Sequence, residues 1–154
     1  GDPRYPDIAL LAIKEMVRQK GFLSPWDPSG EVPPKEGVLV RHLVLPDRID
    51  NSFRVLQTLF DECGPDIPLS IMNQFQPTPE CRRPRVFCKR VPPNQYRLVC
   101  DFAELLGCSR VFVQTGNPGS DFFPDFATEN PFSGNAGRNG LNTDGKECPA
   151  KRVR

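Results

Sequence analysis

The run VLVRHLVL at residues 38–45 constrains the fold of this chain more than any other segment. Its side chains are apolar on both faces of a strand except at Arg41 and His42, and Pro46 ends it. Strands that are apolar on both faces are typical of parallel sheets, because helices cover such sheets. The run therefore predicts a strand buried inside an α/β fold.

Helical and strand-like patterns alternate on either side of this run. Apolar residues recur at helical spacing over residues 7–20, 51–63 and 92–106, and residues 67–72 and 110–114 are typical of two further strands. The order helix, strand, helix, strand, helix, strand predicts a parallel sheet with right-handed crossovers and with helices over its outer face.

The helices are expected to bury one apolar face each. The positions expected to face the core are Ala9, Ala12, Ile13, Met16, Val17, Val55, Leu56, Leu59, Phe60, Cys63, Tyr96, Val99, Cys100, Ala103 and Leu106. Asp7 is expected to cap the first helix, and Gly21 is expected to end it.

Proline and glycine interrupt the regular patterns elsewhere. The 18 prolines and a hydrophobic content of 38%, against ~45–50% in an average domain, indicate that part of the chain does not pack. Residues 22–36 are predicted to form a loop or linker. We expect a folded domain over residues 5–116 and a disordered Gly/Asn/Pro-rich tail over residues 117–154.

Charge and hydropathy exclude several function classes. A formal net charge of +1 provides no field to attract nucleic acid or an acidic membrane. No apolar run reaches the ~20 residues of a membrane-spanning helix, and no signal peptide precedes the first helix, so we expect a soluble, cytoplasmic protein. Because residue 1 is glycine, we expect the natural chain to begin upstream.

The six cysteines, at positions 63, 81, 88, 100, 108 and 148, are spaced too irregularly for a zinc site. We predict no metal ligands among them. Cys63 and Cys100 lie on apolar helix faces and are expected to be buried free thiols. A disulfide framework is the alternative that the count leaves open.

Arg41 and His42 are the polar residues of the buried strand. An unpaired guanidinium there would carry a desolvation penalty of several kcal/mol, so Arg41 is expected to meet a substrate carboxylate, a cofactor or a structural ion-pair partner. The physical chemistry favours neither a ligand nor a structural partner. His42 points to the opposite face and is expected to be a hydrogen-bonded core histidine.

Amide and hydroxyl side chains follow the second and third strands. They are Ser70, Asn73, Gln74, Gln114 and Thr115. The carboxyl ends of parallel strands form the active-site mouth of a barrel, so these groups are candidates for ligand contact. No general base, nucleophile or phosphate-binding loop accompanies them.

Five segments together resemble a known family. They are GVLVRHLVLP (37–46), the Asn-Ser pair at 51–52, VLQTLFDECG (55–64), IPLSIMNQF (67–75) and ELLGCSRVFVQ (104–114). The combination resembles the C-terminal half of radical S-adenosylmethionine proteins related to the pyruvate formate-lyase activating enzyme, over residues 5–116. The resemblance implies a partial parallel (β/α) barrel of the TIM-barrel type.

The resemblance also implies a cofactor site. Arg41 would lie near bound S-adenosylmethionine, and Ser70, Met72, Gln74 and Gln114 would lie at the barrel mouth near cofactor or substrate. The full chain would be an oxidoreductase or activase that generates a 5′-deoxyadenosyl radical and abstracts hydrogen from a protein or small-molecule substrate.

Two departures from the family pattern bear on this function. Asp47 stands where family members usually have glycine after the strand's proline, so the turn toward the cofactor is expected to differ. The Cys-x-x-x-Cys-x-x-Cys loop that holds the family's 4Fe–4S cluster is absent from these 154 residues, so this part alone is expected to be inactive. The alternative is a truncated, non-catalytic module that associates with a partner through an exposed sheet edge.

Overall fold

The computed structural model describes residues 2–77, 87 and 89–114. All of them belong to the first of two units into which the chain divides, Gly1–Pro118. The tail at residues 117–154, which we predicted to be disordered, and Thr115 lie outside the described residues.

Within the residues that the structure describes, three α-helices and three strands alternate in the predicted order. They are α1 (Tyr5–Lys20), β1 (Val40–Leu43), α2 (Ile49–Cys63), β2 (Leu69–Met72), α3 (Pro93–Leu106) and β3 (Val111–Val113). The strands are shorter than predicted: β1 and β3 lose residues at both ends and β2 loses the first two, because only the remaining residues form the hydrogen-bonded ladder. No helix in the described part of the chain has the length and apolar character needed to cross a membrane.

The strands form one parallel sheet in the order β1-β2-β3. Val40 pairs with Leu69 and Leu69 pairs with Val111, so the three strands start at the same level. The α/β class with a parallel sheet is confirmed. Over the described residues the sheet is open rather than closed into a barrel.

The core lies between the sheet and the two helices α2 and α3. Leu69 and Ile71 of β2 are completely buried there, and Leu56 of α2 and Val99 of α3 are completely buried against them. Burying one such aliphatic side chain contributes about 1.5–3 kcal/mol. The inward faces predicted for α2 and α3 are confirmed at Leu56, Leu59, Tyr96, Val99 and Ala103.

The opposite face of the sheet carries Arg41, Leu43, Ser70, Met72 and Phe112, and we call it the open face. Strand residues alternate between faces, and no helix of the described part covers this side. Arg41 and Leu43 are exposed on it. The expectation that β1 is buried on both faces is therefore wrong, because the helices of the described residues lie on one side of the sheet.

Helix α1 differs from its prediction at both its start and its inner face. It begins at Tyr5 after Arg4, without a side-chain cap, so the predicted capping role of Asp7 is wrong. Ile13 packs against the core, whereas Ala12 and Met16 are exposed. Gly21 ends the helix as predicted, with φ 69° and its N–H bonded to the carbonyl of Val17.

The predicted linker at residues 22–36 is anchored to the sheet. The N–H of Leu23 donates to the carbonyl of Val38 at 3.2 Å, and Ser24 pairs with Glu36. This anchoring brings the Trp26 ring to 4.4 Å from the Phe112 ring, centroid to centroid. Since Phe112 belongs to the open face, the loop places a second aromatic ring on that side.

Gly37 is the residue that permits this anchoring. Its φ is 111°, and a Cβ there would overlap the backbone of Phe22 and Leu23. We expect Gly37→Ala to lower the free energy of unfolding by about 3 kcal/mol or more through backbone strain and steric overlap. Trp26 fluorescence should shift to longer wavelength as the ring leaves Phe112.

Gly30→Ala is the matched control in the same loop. Gly30 also has a positive φ, 76°, but has open space around the Cβ position, so its substitution should cost only about 1–2 kcal/mol. Urea unfolding with Trp26 emission measures both variants. Equal losses would show that the close approach at Gly37 does not hold the loop.

Candidate functional site

Three of the residues proposed for ligand contact lie together on the open face. Arg41 pairs in register with Ser70, and Leu43 pairs with Met72 on the next level. Ser70 in turn pairs with Phe112 of β3. Arg41, Ser70 and Phe112 therefore form one row across the three strands, with Met72 beside it toward the carboxyl edge.

Arg41 is exposed at the end of this row. Within residues 2–77, 87 and 89–114, its guanidinium has no hydrogen-bond or ion-pair partner. The desolvation penalty that we expected for a buried charge does not arise, because the open face leaves the side chain in water. The guanidinium keeps its five N–H donors for a carboxylate or phosphate.

Gln114 is held at the carboxyl edge of the sheet by a chain of hydrogen bonds. Its Oε1 accepts from the N–H of Asn73 at 2.8 Å, and its own N–H donates to the Tyr96 hydroxyl at 2.7 Å. The Tyr96 hydroxyl donates to the carbonyl of Ile71 at 2.8 Å. This network fixes the ends of β2 and β3 and leaves the Gln114 amide N–H groups for a ligand.

Gln74 follows two residues after β2 and is half-buried. The described residues include no hydrogen-bond partner for its amide group. It therefore has the donors and the acceptor expected of a ligand contact, and it lies at the same carboxyl edge as Gln114.

Asp47 forms the turn after β1 in the conformation that glycine favours. Its φ is 55°, which aspartate tolerates better than most residues. Its N–H donates to Oε1 of Gln95, whose Nε2 donates back to the carboxylate at 2.7 Å. Lys89 pairs with the same carboxylate at 2.7 Å and, with Gln95, lowers its pKa. These side-chain bonds hold Asp47 at a positive φ, and the expectation that this turn differs from that of the family stays a prediction.

His42 faces α2, on the opposite side of the sheet from Arg41. Its Nε2 lies 2.9 Å from the hydroxyl of Ser52, which is 1% exposed. Burial lowers the pKa of His42. The prediction of a hydrogen-bonded core histidine is confirmed.

The thiols lie on the helix side of the molecule. Cys63, Cys100 and Cys108 are free and half-buried, which confirms the prediction of free thiols at Cys63 and Cys100. Burial raises the pKa of each thiol, which opposes the thiolate form that binds metals. The three other cysteines lie outside the described residues.

Two contributors to this region were not found from the sequence. Trp26 lies in a segment that we predicted to be a linker, although its being the sole tryptophan of the chain is a usable signal. Tyr96 was predicted as a core residue. The apolar spacing of its helix does not indicate which groups form hydrogen bonds with its hydroxyl.

Comparisons with family models, with curated proteins and with solved structures give no match for this chain. The site is therefore interpreted from its own residues and their geometry.

We expect Tyr96→Phe to loosen the carboxyl edge of the sheet. The change removes only the hydroxyl and leaves the N–H of Gln114 and the carbonyl of Ile71 without that partner. The free energy of unfolding should fall by about 1–3 kcal/mol. Tyr5→Phe is the matched control, since Tyr5 is 70% exposed; equal effects in urea unfolding would contradict a structural role for the Tyr96 hydroxyl.

His42 should make folding stability sensitive to mild acid. Its pKa is lowered in the folded chain, so below the ordinary value of about 6.5 the unfolded chain binds the proton more tightly. Stability is therefore full above about pH 6.5 and falls as the pH drops through the lowered folded value.

Because His42 is the sole histidine, His42→Gln should flatten this part of the stability profile. Ser52→Ala should lower stability at neutral pH and keep the pH dependence, because the histidine remains. Urea midpoints between about pH 8 and pH 5 measure both. An unchanged slope in His42→Gln would assign the dependence to other groups.

Proposed function

We propose that this chain is the C-terminal part of a radical S-adenosylmethionine enzyme of the kind that the pyruvate formate-lyase activating enzyme represents. The observation that supports it is the disposition of Arg41, Ser70 and Met72 on the open face of a parallel sheet. In a barrel, the face opposite the helices lines the interior. We propose accordingly that the three strands form part of a (β/α) barrel.

The open face fits S-adenosylmethionine in its chemistry. The exposed guanidinium of Arg41 suits a carboxylate, which it can bind through two parallel hydrogen bonds. Ser70, Gln74 and the Gln114 amide supply neutral donors and acceptors, and Met72 supplies an apolar contact. When bound beside a reduced cluster, S-adenosylmethionine supplies the 5′-deoxyadenosyl radical for hydrogen abstraction; these residues bind and orient it.

The described residues do not fit the 4Fe–4S cluster. They contain no group of three or more histidine, cysteine, aspartate or glutamate side chains that could hold a metal ion. The three described thiols have raised pKa values and lie on α2, on α3 or directly after it. The proposal therefore assigns the cluster to another part of the enzyme and expects no radical chemistry from these 154 residues alone.

The substrate class remains that of the family resemblance, a protein or a small molecule that loses a hydrogen atom. We propose a cytoplasmic location, where thiols stay reduced; the free thiols at Cys63 and Cys100 are consistent with it.

The second candidate is a non-catalytic module that associates through the sheet. It is supported by the open face and by β3, which has no further strand on its outer side in the described residues. Val113 on that strand is 46% exposed. Unpaired strand edges of this kind recruit other chains.

Binding of S-adenosylhomocysteine, which does not need a cluster to be stable, tests the first proposal. We expect the chain to bind it and Arg41→Ala to raise Kd about tenfold through loss of a charged hydrogen bond. Arg97→Ala is the control, because Arg97 is an exposed arginine on α3. Isothermal titration calorimetry measures the Kd of S-adenosylhomocysteine for both variants. In a separate experiment, anaerobic treatment with iron and sulfide should leave no cluster on the chain.

Two results would contradict this proposal. About four irons per chain together with cleavage of S-adenosylmethionine would mean that the cysteines of this chain assemble a cluster themselves. No binding of S-adenosylhomocysteine, together with a stable dimer in analytical ultracentrifugation, would support the association module instead.

A further inference from the structure

The open face carries an aromatic pair at its β3 side. The Trp26 and Phe112 rings lie 4.4 Å apart between centroids, at an interplanar angle of 43°. Both residues are half-buried, so each keeps part of its surface accessible. Bonds at Leu23 and Ser24 fix the loop that carries Trp26, so the pair is a built feature of the face.

A cation and a hydroxyl lie in the same row as this pair. Arg41, Ser70 and Phe112 are register partners on successive strands. Neighbouring strands are about 4.8 Å apart, so the β1 and β3 positions are about 10 Å apart. Arg41 and Ser70 have no hydrogen-bond partner among the described residues. The row thus presents unpaired polar groups at one end and aromatic surface at the other.

We propose that this row, together with Trp26, binds a small organic anion that carries a planar heteroaromatic ring, as a nucleoside monophosphate does. The ring stacks on the Trp26–Phe112 pair, where aromatic stacking contributes about 1–3 kcal/mol per base. The anionic group pairs with the Arg41 guanidinium, and the Ser70 hydroxyl bonds the part of the ligand between them.

The charge of the face selects this ligand class. Among its five residues, Arg41, Leu43, Ser70, Met72 and Phe112, the open face holds one cation and no acidic side chain, which suits the anionic group of a ligand. Leu43 and Met72 form an apolar level next to the row, so the polar contacts of the ligand are confined to the row itself. This inference requires neither a cluster nor S-adenosylmethionine, so it extends beyond the function proposed above.

Trp26 provides the reporter for a direct test. It is the sole tryptophan of the chain, so its emission reports on this site alone. Three probes divide the ligand into its parts: adenosine monophosphate has ring and anion, adenosine has the ring, and ribose phosphate has the anion. We expect adenosine monophosphate to quench Trp26 saturably and to bind at least about tenfold more tightly than either fragment.

Three variants assign the contacts. Arg41→Gln should raise the Kd of adenosine monophosphate about tenfold and leave adenosine unchanged, whereas Arg97→Gln on α3 should change neither. Phe112→Leu keeps the reporter and should weaken adenosine monophosphate and adenosine by similar factors. Circular dichroism confirms folding of each variant.

A measurement on the unmodified chain provides an independent check. Binding of adenosine monophosphate should weaken with rising salt, because an exposed ion pair is screened, and binding of adenosine should not. Equal affinities for adenosine monophosphate and adenosine, equal effects of Arg41→Gln and Arg97→Gln, or no saturable quenching would each overturn the inference.

The two proposals fail in different ways. Binding of adenosine monophosphate without binding of S-adenosylhomocysteine would keep the anion site and refute the cofactor role. The opposite result is binding of S-adenosylhomocysteine that Phe112→Leu does not change, with no binding of adenosine monophosphate. It would keep the cofactor role and refute the anion site.

Discussion

The hydroxyl of Tyr96 connects the carboxyl ends of β2 and β3 by hydrogen bonds that are additional to those of the parallel ladder. It donates to Ile71 of β2 and accepts from Gln114 after β3, and Gln114 then accepts from Asn73. A buried residue of α3, Tyr96, thereby links the helix to the carboxyl edge of the sheet. The position of Gln114 depends on these bonds.

The one-sided cover of the sheet determines what the aligned residues can do. Because α2 and α3 pack on the side of Leu69 and Ile71, the alternate residues of the same strands face away from the core. The Arg41 side chain is consequently exposed to water and needs no structural partner. An exposed guanidinium contributes little to stability, and Arg41 lies in one row with Ser70 and Phe112, so we propose ligand recognition as its role.

Apolar spacing was sufficient to predict the order of elements, the parallel class and the inner faces of α2 and α3. It could not predict what covers the second face of β1, since periodicity records which side chains are apolar and not which elements contact them. Placing Trp26 on Phe112 requires the bridge between Ser24 and Glu36, and holding Asp47 at a positive φ requires Gln95 from α3. Both depend on contacts between segments distant in sequence or on loop geometry, which local patterns do not encode.

The proposed enzyme needs thiols to hold a cluster and a cation to bind the cofactor, and in the described residues the sheet separates the two. Cys63 and Cys100 belong to the helices, while Arg41 belongs to the open face, and the buried side chains of β2 lie between them. Ligands on the helix side could not present a cluster to a molecule bound on the open face without breaking the core. Binding of an organic anion on the open face is therefore a property that this part of the chain can have by itself, whereas radical formation needs cluster ligands that approach from the open side.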